Sequence, residues 1–229
     1  MGSSLTLYTR NPRIQATIAL LSNFRNFKDG MILDLGCGDG SVLVEVANAL
    51  GIKDIYGVDI DEVALRRAAK RGVKVLKIDL NSDPLPFKDE SFDVVLMEEV
   101  IEHLVNPDNA IREARRVLKV GGLFLISTPN LAWWLNRIVL LLGYQPYWSE
   151  CSTIYNVGKF RRNHRWPLSG HLRLYTYRAL KHLLELHGFK VIASRGVTYN
   201  NLPSVFKHLD RLISKIPSLA QIVMILAQK

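Results

Sequence analysis

The stretch MILDLGCGDGS, residues 31–41, places three glycines in five positions directly after a short apolar run. Glycine has no Cβ and tolerates positive φ, so a turn of this kind lets a ligand approach the backbone closely. The fingerprint of dinucleotide-binding turns has glycines at relative positions 1, 3 and 6. Here they lie at positions 1, 3 and 5, as Gly36, Gly38 and Gly40. Asp34 precedes them and would repel a pyrophosphate, so the loop favours a cationic ligand without phosphates.

Histidine and cysteine are the other residue types that could do chemistry here. His103 lies between an apolar run and Asn106, and Asn106 with the following proline predicts a helix start. Cys37 lies inside the glycine loop and Cys151 lies far from it, without the spacing of metal ligands. We therefore predict neither a metal site nor a disulfide framework.

Short apolar runs alternate with helical patterns in the first half of the chain. The predicted strands are residues 31–35, 54–60, 73–79, 92–97 and 122–128. Helices are predicted between them, at about 41–50, 61–71 and 107–119. Such alternation indicates a parallel sheet with crossover helices. We expect an α/β, doubly wound, mostly parallel seven-stranded sheet with an antiparallel strand at its C-terminal end.

The 229 residues, 48% of them hydrophobic, suit a single domain with a substantial core. We divide the domain into an N-terminal segment 12–28 with a helix at about 12–24, a core 30–128, an insertion 130–172 and a C-terminal part 173–229. The C-terminal part is predicted to hold a helix at 177–187, a strand at 189–194, a helix at 204–215 and a last strand at 221–228. No secretory signal pattern is evident and no apolar run reaches the roughly 20 residues of a membrane span, so we expect a cytoplasmic protein.

The net charge of +9 is unevenly distributed. Residues 1–130 hold 16 Lys and Arg against 18 Asp and Glu, whereas residues 131–180 hold seven against one. The basic charge therefore belongs to the insertion and to the C-terminal part. This distribution suggests an anionic partner for the second half of the chain.

Several motifs occur in one order along the chain. They are ILDLGCGDG (32–40), LPFKDESFDVV (85–95), EEVIEHL (98–104), RVLKVGGLFLISTPN (116–130) and GFKVIAS (188–194). Together they resemble class I S-adenosylmethionine-dependent methyltransferases, which have a Rossmann-like fold. The second and third motifs are similar to the ubiquinone and menaquinone subgroup. The resemblance covers about residues 30–200.

The resemblance implies S-adenosylmethionine as the cofactor and S-adenosylhomocysteine as the product. In that family an acid at the position of Asp59 binds the ribose hydroxyls, and an acid at the position of Asp79 lies near the adenine amine. Asp34 and Glu98 would lie near the methionine end. The full implied cofactor site is Asp34, Gly36, Cys37, Gly38, Gly40, Asp59, Ile60, Asp79, Leu80 and Glu98.

Methyl transfer from a sulfonium is an in-line displacement that depends mainly on alignment. A hydroxyl nucleophile usually needs a general base, and His103 is the candidate because it follows the fourth strand at the ligand-binding edge. The alternative is that His103 only bonds a loop carbonyl. His164 and His171 in the insertion are weaker candidates. Glu99 and Glu102 are interpreted as solvated helix residues.

The insertion bears on the methyl acceptor. Its stretch LAWWLNRIVLLLGYQPYW is apolar nearly all round a helix, which indicates either a buried lid or a surface that faces lipid or an apolar substrate. The stretch KFRRNHRW (159–166) then combines basic and aromatic residues. We expect an acceptor that is small, glycan or lipid-like and anionic, methylated at oxygen, with peripheral membrane contact through residues 131–166.

Three other functions stay open. Nucleic acid is a weaker candidate partner, because basic residues interleaved with aromatics over eight positions are a weak signal and no RNA-binding module is evident, so an RNA methyltransferase is an alternative. A non-catalytic adaptor would be supported by an exposed Trp133 and Trp134. A nicotinamide oxidoreductase is disfavoured by Ser41, which stands where the third glycine of its fingerprint would be. The sequence predicts no oligomeric state.

Overall fold

The computed structural model describes residues 11–24, 27, 29–160, 168–199 and 204–229. These residues form one seven-stranded sheet. Its strands are β1 (Met31–Leu35), β2 (Asp54–Asp59), β3 (Lys74–Lys77), β4 (Phe92–Glu98), β5 (Leu118–Pro129), β6 (Lys190–Val197) and β7 (Ile222–Gln228). Their spatial order is β3-β2-β1-β4-β5-β7-β6.

Strands β1 to β5 pair in parallel, whereas β7 lies antiparallel between β5 and β6. The mostly parallel sheet with an antiparallel C-terminal strand is therefore confirmed. β6 runs further than expected, to Val197, because it pairs with β7 as far as Ile222. The parallel strands all end at one edge, which is where ligands bind in open α/β sheets.

Seven helices lie in the described part of the chain. They are α1 (Pro12–Ser22), α2 (Ser41–Leu50), α3 (Glu62–Lys70), α4 (Pro107–Val117), α5 (Trp134–Leu141), α6 (Tyr177–Leu186) and α7 (Ser204–Ile213), with 3₁₀ turns at Ile101–His103 and Pro217–Leu219. Apolar residues of α1, α2 and α3 share one buried cluster, and those of α4 and α6 share a second that also contains Phe92 and Phe124. Two helical layers thus cover the sheet.

The N-terminal helix is shorter than predicted. It ends at Ser22, because the N–H of Phe24 bonds the carbonyl of Leu21 in a tight turn instead of continuing the helix. Phe27 is buried in the core shortly afterwards. The predicted helix to about 24 is therefore two residues too long, and residues 25, 26 and 28 lie outside the described residues.

The insertion is tied to the C-terminal part by two indole rings. The Nε1 atoms of Trp133 and Trp134 donate to Oδ1 of Asp210 on α7, at 2.9 and 2.7 Å. Asp210 is fully buried and Trp133 is only 3% exposed. Trp133 is therefore not exposed, so it does not support an adaptor function. Tryptophan at the start of α5 serves to anchor the insertion.

The outer face of α5 is apolar and exposed. Leu141 is 88% exposed, and Ile138, Leu140 and Leu142 are exposed beside it. The described part of the insertion is therefore not a fully buried lid. The predicted candidates Arg161, Arg162, His164, Arg165 and Trp166 lie outside the described residues. Among the described helices, none is long and apolar enough to cross a bilayer.

Candidate active site at the carboxyl edge of the sheet

The glycine loop between β1 and α2 adopts the backbone that its sequence predicts. Gly36, Gly38 and Gly40 have φ values of 81°, 52° and 74°, a region that residues with a Cβ rarely occupy. A Cβ at Gly40 would lie 2.9 Å from that of Ala68. The N–H groups of Gly36 and Cys37 donate to the carbonyl of Val58, at 2.8 and 3.0 Å. The loop is therefore fastened to β2 and leaves its outer side to a ligand.

Asp59 lies beside this loop at the end of β2. Its carboxylate accepts the N–H of Gly38 at 2.8 Å and the N–H of Asp61 at 2.9 Å. Ile60 follows and is 62% exposed, which is unusual for a large apolar residue next to a buried strand. The carboxylate of Asp59 and the exposed apolar side chain of Ile60 therefore lie side by side at the carboxyl edge of the sheet.

The loop after β3 brings a second acid to the same edge. Asp79 accepts hydrogen bonds from the N–H and the side-chain amide of Asn81, which hold the pKa of that carboxyl below its ordinary value. Leu80 packs into the core. The Oδ1 atom of Asn81 accepts the N–H groups of Val105 and Asn106, at 2.7 and 3.1 Å. The loops after β3 and β4 are therefore joined.

A cluster of two buried acids, Asp34 and Glu98, lies between the ends of β1 and β4. Asp34 is 6% exposed, and burial together with the nearby Glu98 raises its pKa to about 8. Burial also raises the pKa of Glu98. Glu98 pairs with Arg13 of α1 at 2.7 Å and accepts the hydroxyl of Thr17 at 2.9 Å. This edge thus presents more buried acid than base, which suits a cationic ligand.

His103 lies on the 3₁₀ turn after β4, at the same edge. Its Nδ1 is 3.2 Å from the carbonyl oxygen of Gly170, and a carbonyl can only accept. Nδ1 therefore donates, and the neutral ring carries its lone pair on Nε2. Glu150 holds the segment of Gly170 by accepting that residue's N–H at 2.9 Å and the hydroxyl of Ser169 at 2.7 Å.

His171 packs against His103, with ring centroids 4.9 Å apart. Burial and the neighbouring His103 lower the pKa of His171, so its ring is neutral at physiological pH. From the sequence alone, His171 is a weaker candidate than His103. The structure instead brings it to His103 across 68 positions of chain.

The interpretation of Glu99 and Glu102 as solvated helix residues is wrong. Glu102 is only 2% exposed and accepts the hydroxyl of Thr128 of β5 at 2.9 Å. Glu99 accepts the hydroxyl of Ser127 at 3.0 Å and has a φ of 58°. The chain makes a tight 3₁₀ turn after β4 instead of an α-helix, and this turn points both acids at β5. Burial raises the pKa of Glu99 to about 8 and that of Glu102 to about 7.

Comparison with known proteins decides the family. A family model described as a methyltransferase domain matches residues 7–194, which is most of the chain. The chain belongs to this methyltransferase family. Its class is that of the S-adenosylmethionine-dependent enzymes with a Rossmann-like sheet, as the sequence motifs predict. The methyl donor of that class is S-adenosylmethionine.

Relatives of this methyltransferase include named enzymes. A "Probable S-adenosylmethionine-dependent methyltransferase" of Mycobacterium tuberculosis is 37% identical over 99 residues, 43% of this chain and 35% of that protein. A "Ubiquinone biosynthesis O-methyltransferase" of Bartonella bacilliformis is 31% identical over 177 residues, 75% of this chain and 64% of that protein. The match thus spans between about a third and two thirds of the length of these curated relatives.

A solved structure extends the likeness to the whole fold. The S-adenosylmethionine-dependent methyltransferase of Thermotoga maritima, described as a possible histamine N-methyltransferase, superposes with a TM-score of 0.61 at 25% identity. The superposition covers 94% of this chain and 89% of that one. The likeness therefore extends over most of both chains.

Proposed function

We propose that this chain transfers the methyl group of S-adenosylmethionine to a hydroxyl oxygen of a small or lipid-like, anionic acceptor. The observation that carries the proposal is that the glycine loop, the buried acids Asp34 and Glu98, and His103 with a lone pair on Nε2 all lie at one edge of the sheet. Bound S-adenosylmethionine supplies a methyl carbon on a positively charged sulfur, and attack by the acceptor oxygen breaks the carbon–sulfur bond and leaves neutral S-adenosylhomocysteine. The protein's task is to align the two molecules.

The residues at the edge fit that cofactor. Asp59 would accept the ribose hydroxyls beside the glycine backbone, and Asp79 would accept the adenine amine. The exposed side chain of Ile60 offers an apolar surface for the adenine ring, and Leu80 lies next to Asp79. The cofactor residues that we propose are Asp34, Gly36, Cys37, Gly38, Gly40, Asp59, Ile60, Asp79, Leu80 and Glu98.

Asp34 is the residue that we assign to the methionine ammonium, because it is a buried carboxyl directly before the glycine loop. Its pKa of about 8 means that it carries a proton at pH 7 in the free protein. The groups that act on it are Glu98 on β4, Arg13 on α1 and Asp59 on β2. A bound cation favours the carboxylate and so expels this proton.

We expect the affinity for S-adenosylmethionine to rise between about pH 6 and pH 8, by up to about tenfold per pH unit, and to level off above pH 8. The affinity rises with pH because the pKa of Asp34 is raised in the free protein and lowered in the complex. Binding below pH 8 must therefore expel the proton of Asp34. Calorimetric titration across this range measures the effect. Asp34→Asn, which cannot lose a proton, should bind more weakly and with a flatter pH profile. An equally steep profile in Asp34→Asn would remove Asp34 from the methionine site.

His103 is the residue that we propose on the acceptor side. Its Nδ1 is occupied by the carbonyl of Gly170, so the lone pair of Nε2 is available to a hydroxyl. The oxygen–methyl bond forms as the hydroxyl proton passes to Nε2. Glu150 supports this arrangement because it fixes the backbone that selects the tautomer of His103.

An exposed apolar patch supports a lipid-like acceptor and contact with a membrane surface. We define the apolar patch as Leu140, Leu141, Leu142, Tyr144 and Phe160, all of them exposed. The rings of Tyr144 and Phe160 contact each other with centroids 5.1 Å apart, which joins the end of α5 to the following loop. The seven basic residues of 131–180, against one acid, add attraction for an anionic surface.

Leu141→Glu is expected to weaken binding to vesicles of phosphatidylcholine and phosphatidylglycerol by about tenfold or more, because a leucine leaves the apolar interface and a charge enters it. Co-sedimentation with such vesicles measures the effect. Leu186→Glu is the matched control, since Leu186 is also highly exposed but lies on α6. Equal loss in both variants, or none in either, would argue against the apolar patch as a membrane contact.

The test of the function itself is transfer of labelled methyl groups from S-adenosylmethionine to three acceptors offered separately. They are a prenylated phenol, an anionic glycan and RNA. We expect the label in the phenol or the glycan, as an O-methyl ether. Label in RNA alone would favour the RNA methyltransferase alternative. Cofactor binding without transfer to any acceptor would favour the adaptor.

A further inference from the structure

Three side chains that can bind a metal ion converge beside the proposed acceptor position. They are Glu102, His103 and His171, and one ligand atom of each lies within 4.8 Å of the others. The backbone carbonyl of Glu102 accepts the N–H groups of Leu172 and Arg173, at 2.8 and 3.1 Å. These bonds hold the turn after β4 against the end of the insertion. The cluster is therefore built by the fold.

Two atoms of this cluster are buried without a hydrogen-bond partner among the described residues. They are Oε1 of Glu102 and Nδ1 of His171. Buried polar atoms are nearly always bonded, so an orphaned pair at one place indicates a missing partner. The two atoms are an oxygen and a ring nitrogen, both of which bind cations.

In each of the three side chains, another polar atom is held by a hydrogen bond to the protein. Nδ1 of His103 donates to Gly170, and the ring of His171 bonds the backbone of Trp148. Oε2 of Glu102 accepts the hydroxyl of Thr128. Metal-binding histidines and carboxylates are oriented in this way, with one atom fixed by the protein and the other left for the ion.

We propose that Glu102, His103 and His171 bind a divalent cation of the zinc class. Two imidazoles and one carboxylate suit Zn²⁺, Co²⁺ or Fe²⁺, whereas Mg²⁺ prefers oxygen ligands. Ligand atoms lie about 2.0–2.2 Å from such ions, so side-chain movements of about 1 Å would bring all three into contact. The cysteine spacing predicts no metal site, but none of these three residues is a cysteine.

The catalytic consequence rests on the proposed function. A hydroxyl bound to such a cation loses its proton at a lower pH. With the cation bound to Nε2 of His103, the cation and not Nε2 would activate the acceptor hydroxyl. The acceptor proton would then pass to solvent. The binding of the ion itself depends only on the three side chains.

The experiment is titration of the chelator-treated full chain with Co²⁺, followed by visible absorption, and with Zn²⁺ by calorimetry. We expect one tight site, and weak binding of Mg²⁺. His171→Ala and Glu102→Gln should each weaken Co²⁺ binding at least tenfold, and Glu102→Gln keeps the shape of the side chain. His187→Ala is the matched control, because His187 also lies beside an acid, Asp108, but at the C-terminal cap of α6.

Absence of a stoichiometric Co²⁺ site, or equal binding by wild type and both variants, would overturn the proposal. Titration of the same samples with S-adenosylmethionine separates it from the proposed function. A cofactor site without a cation site would leave the function standing and reject the metal. A cation site without cofactor binding would support the metal site and reject the proposed function.

Discussion

Arg13→Ala is expected to lower the free energy of unfolding by about 3–5 kcal/mol. The side chains of Arg13 and Glu98 are 13% and 4% exposed, and their ion pair is 2.7 Å long. Without Arg13, Glu98 stays buried next to Asp34 with the hydroxyl of Thr17 as a remaining partner. Removing one member of such a pair leaves an uncompensated buried charge, which accounts for the large effect.

Urea unfolding at neutral pH measures this loss. Arg66→Ala is the control, because the ion pair between Arg66 and Glu62 lies on the surface and should contribute nothing measurable. The double variant Arg13→Ala with Glu98→Gln should recover part of the stability, since no unpaired charge is then left. A loss in Arg13→Ala as small as that in Arg66→Ala would show that the pair does not hold α1 to the sheet.

His103→Ala is expected to lower the turnover number for methyl transfer by about 100- to 10,000-fold, the usual contribution of a positioned proton acceptor. Both roles proposed for His103, direct base and cation ligand, need its Nε2. The affinity for S-adenosylmethionine should stay unchanged, because His103 lies on the acceptor side.

Turnover and cofactor affinity must therefore be measured separately, by labelled methyl transfer and by calorimetry. His182→Ala is a suitable control because His182 is exposed on α6, away from this turn. If His103→Ala lost cofactor affinity along with turnover, the residue would be structural. If turnover were unchanged, another group would accept the proton.

Much of the fold could be predicted because its signals are local. Apolar runs alternating with helical periodicity predict the parallel strands, and the spacing of Gly36, Gly38 and Gly40 predicts a turn with positive φ. The same spacing, with Asp34 before it, disfavours a pyrophosphate site. Asp59 and Asp79 follow their strands directly, so the edge on which they lie is also set by local sequence.

The rest of the site depends on contacts between distant segments. Arg13 meets Glu98 across 85 positions, and Trp133 meets Asp210 across 77. Glu102 looked like a solvated helix residue because the short turn after β4 has no sequence signal of its own. The sequence shows His171 near the end of the insertion, but its closeness to His103 is a property of the folded chain.

Calorimetric titration of the purified chain with S-adenosylmethionine, S-adenosylhomocysteine and NADH tests the central claim most directly. We predict binding of the first two in the micromolar range and none of NADH. Binding of NADH alone would contradict the assignment of the glycine loop. Binding of none of the three would mean that a chain with this fold lacks the cofactor site that we assign to it.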